Sequence, residues 1–169
     1  MAGAVLAALG ADAASPALVS LNNAHAEELT VLSPDDMTRL IRRSFLALGA
    51  GEAEAFLIAF DQDAEHDSPN FLWFRERFDR FVYVDRIAVA PHARGSGLGR
   101  RLYEALFERA RGAGHHRIAC EVNLDPPNPA SDAFHSAMGF VVVGSATLSS
   151  GKTVRYYIRS LAEKPAATG

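Results

Sequence analysis

Three glycines at alternate positions, Gly95, Gly97 and Gly99, lie in the segment Arg94-Gly95-Ser96-Gly97-Leu98-Gly99. Before it runs a β-rich, alternating stretch, Phe81–Val89, with Val82, Val84 and Ala88 against Tyr83, Asp85, Ile87 and Val89, ending at Pro91. After it comes a helix pattern starting near Gly97, in which Leu98, Leu102, Ala105, Leu106 and Ala110 form one apolar stripe up to Gly112-Ala113-Gly114. Glycine permits positive φ and close approach of backbone to a ligand, so successive N–H groups can converge. The following helix adds its unsatisfied first-turn N–H groups and the positive end of its dipole. Strand, glycine loop and helix together predict a phosphate site, for a diphosphate, with Arg94, Arg100 and Arg101 supplying charge.

The remaining elements are arranged around this unit. Leu18–Leu21 reads as a first short strand, and residues 1–15 as a short helix or frayed extension. Ser33-Pro34-Asp35-Asp36 is a helix start, with Ser33 as cap and acids in the first turn, running to about Arg43. Phe45–Leu48 and Ala55–Phe60 flank Gly49-Ala50-Gly51-Glu52 as a hairpin. Asp61 to Pro69 is an acidic loop, and Asn70–Phe78 a short helix begun near Ser68-Pro69. Ile118–Val122 is a strand, Ser131–Met138 a short helix closed by Gly139, and Phe140–Thr147 and Val154–Ser160 two last strands. This order predicts an α+β fold, a partly antiparallel sheet covered by helices. The domain boundaries read as an N-terminal extension over 1–17, a single domain over 18–161 and a loose tail over 162–169.

Composition limits the function classes. A chain of 169 residues with 49% hydrophobic and 22% charged side chains is an ordinary globular domain. Its single cysteine excludes an internal disulfide framework and points to a reducing compartment. Residues 1–74 carry 11 acidic and three basic side chains, whereas residues 75–169 carry nine acidic and 14 basic ones. A basic C-terminal half suits a polyanionic ligand and an acidic N-terminal half a cationic one. No long Lys/Arg run is present, so nucleic acid is not an expected partner. The apolar, Ala-rich N-terminus is too short to span a bilayer and has no basic residue before Arg39, which argues against a membrane segment or signal peptide and for a cytoplasmic protein.

Two familiar phosphate loops do not fit. A dinucleotide fingerprint, G-x-G-x-x-G, would need glycine at Arg100 or Leu102. Gly151-Lys152-Thr153 supplies the tail of a Walker loop, but Ala146 stands at the leading position and a strand follows, so it reads as a hairpin turn. Arg94-x-x-Gly97-x-Gly99 instead resembles the [Q/R]-x-x-G-x-[G/A] loop of the GNAT N-acetyltransferases. Asn128-Pro-Ala-Ser-Asp-Ala-Phe-His135-Ser-Ala-Met-Gly139-Phe140 resembles that family's N-x-x-[AS]-x-x-x-Y-x-x-x-G-F segment. The resemblance spans residues 18–160 in element order and is specific over 81–140.

The resemblance implies an αβα sandwich on a mixed, mostly antiparallel twisted sheet of about seven strands, splayed between strands 81–89 and 118–122. It implies acetyl-CoA as co-substrate: Ile87, Ala88 and Val89 pair with the pantetheine, and Arg94, Gly95, Ser96, Gly97, Leu98, Gly99 and Arg100 wrap the diphosphate. Asn128 and Ser131 complete the coenzyme site, and the N–H of Val89 faces the acetyl carbonyl. No metal is called for. The reaction implied is direct attack of a primary amine on the thioester, which needs a proton acceptor for the ammonium and a donor for the thiolate.

Where the family places a tyrosine donor, this chain has His135, read either as general acid or as a partly buried histidine with a structural partner; Tyr103, Tyr156 and Tyr157 are substitutes. Glu121 and Asp85, both on the splayed strands, are the candidate bases, against ion pairing of Asp85 with Arg86 or Arg117, anchoring of the Pro126-Pro127 loop by Glu121, and a water relay without any single base.

Other constellations are weaker. Asp61-x-Asp63-x-Glu65-x-Asp67 lacks the glycine and glutamate of a calcium loop, and reads as solvated charge or, with Glu27 and Glu28, as a rim for a cationic acceptor. Phe71, Trp73, Phe74 and Phe78 read as core, a dimer patch or an acceptor-pocket wall. Asn22, Asn23 and His25 face the acceptor region or cap a helix. Cys120 reads as a buried structural thiol. Three readings of function remain: acetyl transfer to a small amine, the same chemistry on a peptide N-terminus or lysine, and an acyl-CoA-binding module without turnover. A homodimer is compatible with all three.

Overall fold

The computed structural model describes residues 4–10, 15–25, 29–125 and 127–161. Glu27, Glu28, Pro126 and the 162–169 tail lie outside them. Among the described residues, seven strands form one sheet in the order β1-β2-β3-β4-β5-β7-β6. The strands are β1 Leu6–Ala8, β2 Leu46–Ala50, β3 Ala55–Asp61, β4 Val82–Val89, β5 Arg117–Asp125, β6 Val141–Thr147 and β7 Thr153–Ser160. Five α-helices accompany them: α1 Pro16–Asn23, α2 Pro34–Arg43, α3 Pro69–Arg75, α4 Leu98–Gly112 and α5 Pro129–Ala137. All neighbours are antiparallel except β4 and β5. The expected mixed, mostly antiparallel α+β sandwich is therefore the fold. Residues 55–60 of β3 are all buried, as a strand covered on both faces must be. Helices α1, α2 and α4 pack on β3 and β4, and α3 packs on β5. Among the described residues no helix is long and apolar enough to cross a membrane.

Two expectations for the N-terminal region are overturned. Leu18–Leu21 is helical, not a strand. Ser15 caps α1, its hydroxyl accepting from the Leu18 N–H at 3.2 Å, and Pro16 fills the first helical position. Leu18, Val19, Leu21 and Asn22 are its buried residues. The stretch 1–15 is neither helix nor frayed extension throughout, because Leu6–Ala8 pairs with Leu48–Ala50 as an edge strand. Leu9 packs so closely on Gly49 that a Cβ there would lie 2.8 Å from its Cδ2.

The same Ser-Pro or Asn-Pro start recurs. Ser33, Ser68 and Asn128 each cap a helix with a side-chain acceptor, and a proline follows each cap. Helix α4 differs. Its cap is Gly97, at φ 81°, with no side-chain hydrogen bond. Four helix starts are closed by their own side chains, and the one behind the glycine loop is open.

Candidate active site

Strands β4 and β5 pair only at Val82–Ile118 and Tyr83–Ala119 and then diverge. This is the expected splay. The β3–β4 ladder determines which backbone groups face the gap. Ala90 N–H bonds to Glu54 O at 2.8 Å, so the next pair, Val89–Ala55, is a non-hydrogen-bonded one, and Ile87–Leu57 repeats it. The N–H and C=O groups of Ile87 and Val89 thus point away from β3, toward the gap. A bulge at Asp85, between the Arg86–Ile58 and Val84–Ala59 pairs, breaks the alternation read from the sequence. As a result Val84, Asp85, Arg86 and Ile87 all line the same cavity.

The gap opens into two arms with a shared wall. One, of about 480 Å³, is lined by Ile87, Ala88, Val89, Arg94, Gly95, Gly97, Leu98, Gly99, Arg100 and Ser131, with Ala93, Ala130, Phe134 and His135. Nearly all residues expected at the coenzyme are here. Ser96 is not, because its N–H and hydroxyl both turn inward to Ala93 O. The Arg94 N–H likewise bonds to Pro91 O. Among the described residues, the N–H groups of Gly95, Gly97, Leu98, Gly99 and Arg100 are taken up by neither a loop hydrogen bond nor a side-chain cap. A Cβ on Gly95 or Gly97 would enter open space, and both have positive φ. Gly99 has a different reason: a Cβ there would lie 3.2 Å from the Phe134 ring, so it lets α4 approach α5. Five free amides at an uncapped helix start suit a diphosphate, and the free edge of Ile87 and Val89 suits a pantetheine amide.

The second arm, of about 290 Å³, contains His25, Leu29, Tyr103, Cys120, Glu121 and Asn128 with the β4 bulge; Ile87, Arg94, Ser131 and His135 line both arms. Asn128 thus lies here and not in the first arm, its Oδ1 accepting from Ser131 N–H at 3.3 Å as the α5 cap. Glu121 accepts from Tyr83 Oη at 2.6 Å. Burial pushes its carboxyl up, the Tyr83 hydrogen bond opposes this, and the charge of Asp85 adds to the rise, leaving it at about 8.

Asp85 has the opposite character. Burial works to raise its pKa, but His66 Nε2 and Arg86 Nε, each 2.9 Å away, hold it below the ordinary carboxylate value. Its partners are thus Arg86, as one sequence reading has it, and His66, which none anticipates. Arg86 is buried and fully engaged, by Asp85, Asn22 Oδ1 at 2.8 Å, and the carbonyl and hydroxyl of Thr30.

His135 is buried, and burial lowers its pKa, so the ring is neutral. Its Nδ1 lies 2.7 Å from the carbonyl of Ser131, which can only accept, so the proton is on Nδ1. Nε2 then accepts from the Tyr103 hydroxyl at 2.7 Å. Both nitrogens are occupied, and Tyr103 is the hydroxyl on the acceptor arm that sequence order alone does not connect with His135.

The acidic loop, Asp61 to Asp67, lines neither arm. Phe71 and Phe74 are core, and Trp73 stacks on Tyr156 with ring centroids 4.2 Å apart, so helix α3 is not the acceptor wall. Asn22 and Asn23 tie the end of α1 to Thr30 and Leu32, while His25 lines the acceptor arm. Cys120 is a buried free thiol, pushed up by burial.

Comparison with known proteins agrees with this geometry. The acetyltransferase (GNAT) family model matches residues 20–140. The chain is 30% identical over 142 residues, 80% of its length and 68% of the relative's, to a phosphinothricin N-acetyltransferase of Alcaligenes faecalis. It is 36% identical over 76 residues, 45% of its length and 40% of the relative's, to the L-amino acid N-acyltransferase MnaT of Escherichia coli. Among solved structures, yncA of Salmonella typhimurium with its cofactor acetyl-CoA superposes with a TM-score of 0.70 at 17% identity, covering 98% of both chains. The ribosomal-protein-S18-alanine N-acetyltransferase of Escherichia coli gives 0.68, also at 17% identity and 98% of both chains. The chain belongs to the GNAT family and is an N-acetyltransferase of that type.

Proposed function

We propose that this protein transfers the acetyl group of acetyl-CoA to the primary amine of a small, amino-acid-like acceptor. The observation that carries the reading is the meeting of two unpaired backbone surfaces, the uncapped start of α4 and the free edge of β4, in one cleft. Acetyl-CoA supplies an acetyl group activated as a thioester. The amides of Gly95 and Gly97–Arg100 hold its diphosphate, and Ile87 and Val89 hold its pantetheine arm. Asn128 and Ser131 border that arm where it enters the acceptor side, and the Val89 N–H polarises the acetyl carbonyl.

The amine nitrogen bonds to the acetyl carbon as the carbon–sulfur bond breaks. Glu121, ionised above about pH 8, takes the ammonium proton directly or through one water. At rest the Tyr103 hydroxyl is positioned by donating to His135 Nε2; as the carbon–sulfur bond breaks it gives up that bond and donates to the leaving thiolate instead. Asp85 serves by holding Arg86 in the wall of the acceptor arm; its ion pairs leave it a poor base. A small acceptor is supported by the modest size of the second arm, and an amino-acid-like one by the names of the two relatives. A homodimer is supported by the edge strand β6, where Val141, Val142 and Val143 stay 61%, 53% and 41% exposed.

Thiol release from acetyl-CoA, followed with a panel of amino acids, amines and short peptides, tests the reading. Turnover with free amino acids is expected. Turnover with peptides alone would move the acceptor class to proteins. Tight coenzyme binding without thiol release for any amine would leave a coenzyme-sensing module instead.

A further inference from the structure

Charge in the acceptor arm is distributed unevenly. Asp85 and Arg86 neutralise each other, and each nitrogen of the Arg86 guanidinium already donates a hydrogen bond. His135 has both nitrogens engaged. Glu121 is uncharged below about pH 8. Arg94 is what remains. It is exposed and forms no ion pair among the described residues. Among the described residues the side-chain hydrogen bond of its guanidinium is Nη2 to His25 Nε2 at 3.4 Å. His25 Nδ1 faces the Leu21 carbonyl at 2.9 Å and donates to it, so His25 Nε2 accepts from Arg94.

The direction of this contact matters. Arg94 leads the glycine loop, but His25 lines only the acceptor arm. Arg94 itself lines both arms, and this contact turns its Nη2 toward the acceptor side, while the backbone amides face the diphosphate arm. We propose that Arg94, held by His25, reads a carboxylate on the acceptor, so that an α-amino acid is gripped at its acid end by Arg94 while its amine faces Glu121. A planar fork of N–H groups suits that anion. This assignment rests on the acetyl-transfer reading above and names the group that selects its acceptor.

The experiment measures steady-state kinetics for the best amino-acid acceptor and for its carboxamide, with the full chain and with Arg94→Gln and Arg94→Lys. The unaltered protein is expected to favour the acid over the amide at least tenfold in kcat/KM. In Arg94→Gln that ratio should fall toward one, with the acceptor KM raised about 10- to 100-fold, a loss on the scale of one charge-assisted pair. Arg94→Lys should keep part of the ratio. The KM for acetyl-CoA should move less than the acceptor KM. Equal use of acid and amide by the unaltered protein would overturn the proposal, as would a preference that survives Arg94→Gln. So would a change confined to the KM for acetyl-CoA, which would make Arg94 a coenzyme ligand. Calorimetry with acetyl-CoA separates the two levels. Absence of coenzyme binding removes the transfer reading as a whole, whereas binding and turnover without acid preference remove only the role of Arg94.

Discussion

Glu121 is the carboxyl at the cleft whose pKa the fold raises. A base works when ionised, so kcat/KM should climb as pH rises through about 8. Glu121→Gln should abolish that rise and lower kcat/KM by about 10² to 10⁴. The same displacement acts on stability. Below the ordinary carboxyl pKa both folded and unfolded chains are protonated; between there and about 8 only the folded chain keeps the proton. Stability contributed by the neutral group is then lost as pH rises, and the melting temperature should fall with a slope that Glu121→Gln reduces. Asp85 carries the opposite sign. Its folded pKa is lowered, so its contribution is present at neutral pH and lost in acid. Asp85→Asn leaves the Arg86 charge buried without its partner, and a loss of about 3–5 kcal/mol by denaturant titration is expected. Sequence reading reaches Glu121, Asp85 and His135 through their positions on two strands and one helix. It names Tyr103 only as one of three substitute donors and does not single it out, because the bond from Tyr103 to His135 joins residues 32 apart on different helices.

Among the elements, the glycine loop shows how similar residues do different work. At Gly97, φ of 81° makes any side chain strained by about 1–2 kcal/mol, and the added atoms enter the open cleft proposed for the coenzyme. At Gly99 the added Cβ meets Phe134. Gly97→Val should therefore weaken acetyl-CoA binding at least tenfold with a small change in melting temperature, while Gly99→Val should displace α5, with calorimetry and thermal melts distinguishing them. Helix starts were legible at Ser33 and Ser68, where a capping side chain precedes proline. The same signal at Ser15-Pro16 was outweighed by the apolar run Ala17–Leu21, which suits a strand as well as a buried helix face. The bulge at Asp85 left no mark, since neither glycine nor proline accompanies it. β1 was hidden because three small or apolar residues on an edge carry no alternation.

For the molecule as a whole, the order of elements and the glycine loop made the architecture readable, while the β1 edge of the sheet depended on contacts far apart in sequence. β1 covers the edge of β2, whose Ala47–Ala50 are buried. Deleting residues 1–9 should expose that edge, lower the melting temperature and promote association measurable by light scattering. The account depends most on the cleft between β4 and β5 being a coenzyme site. Isothermal titration of acetyl-CoA into the full chain and into Gly97→Val tests this most directly. Single-site binding in the micromolar range, weakened at least tenfold by the substitution, is the predicted result; no heat of binding in the unaltered chain, or equal affinity in both, would contradict it.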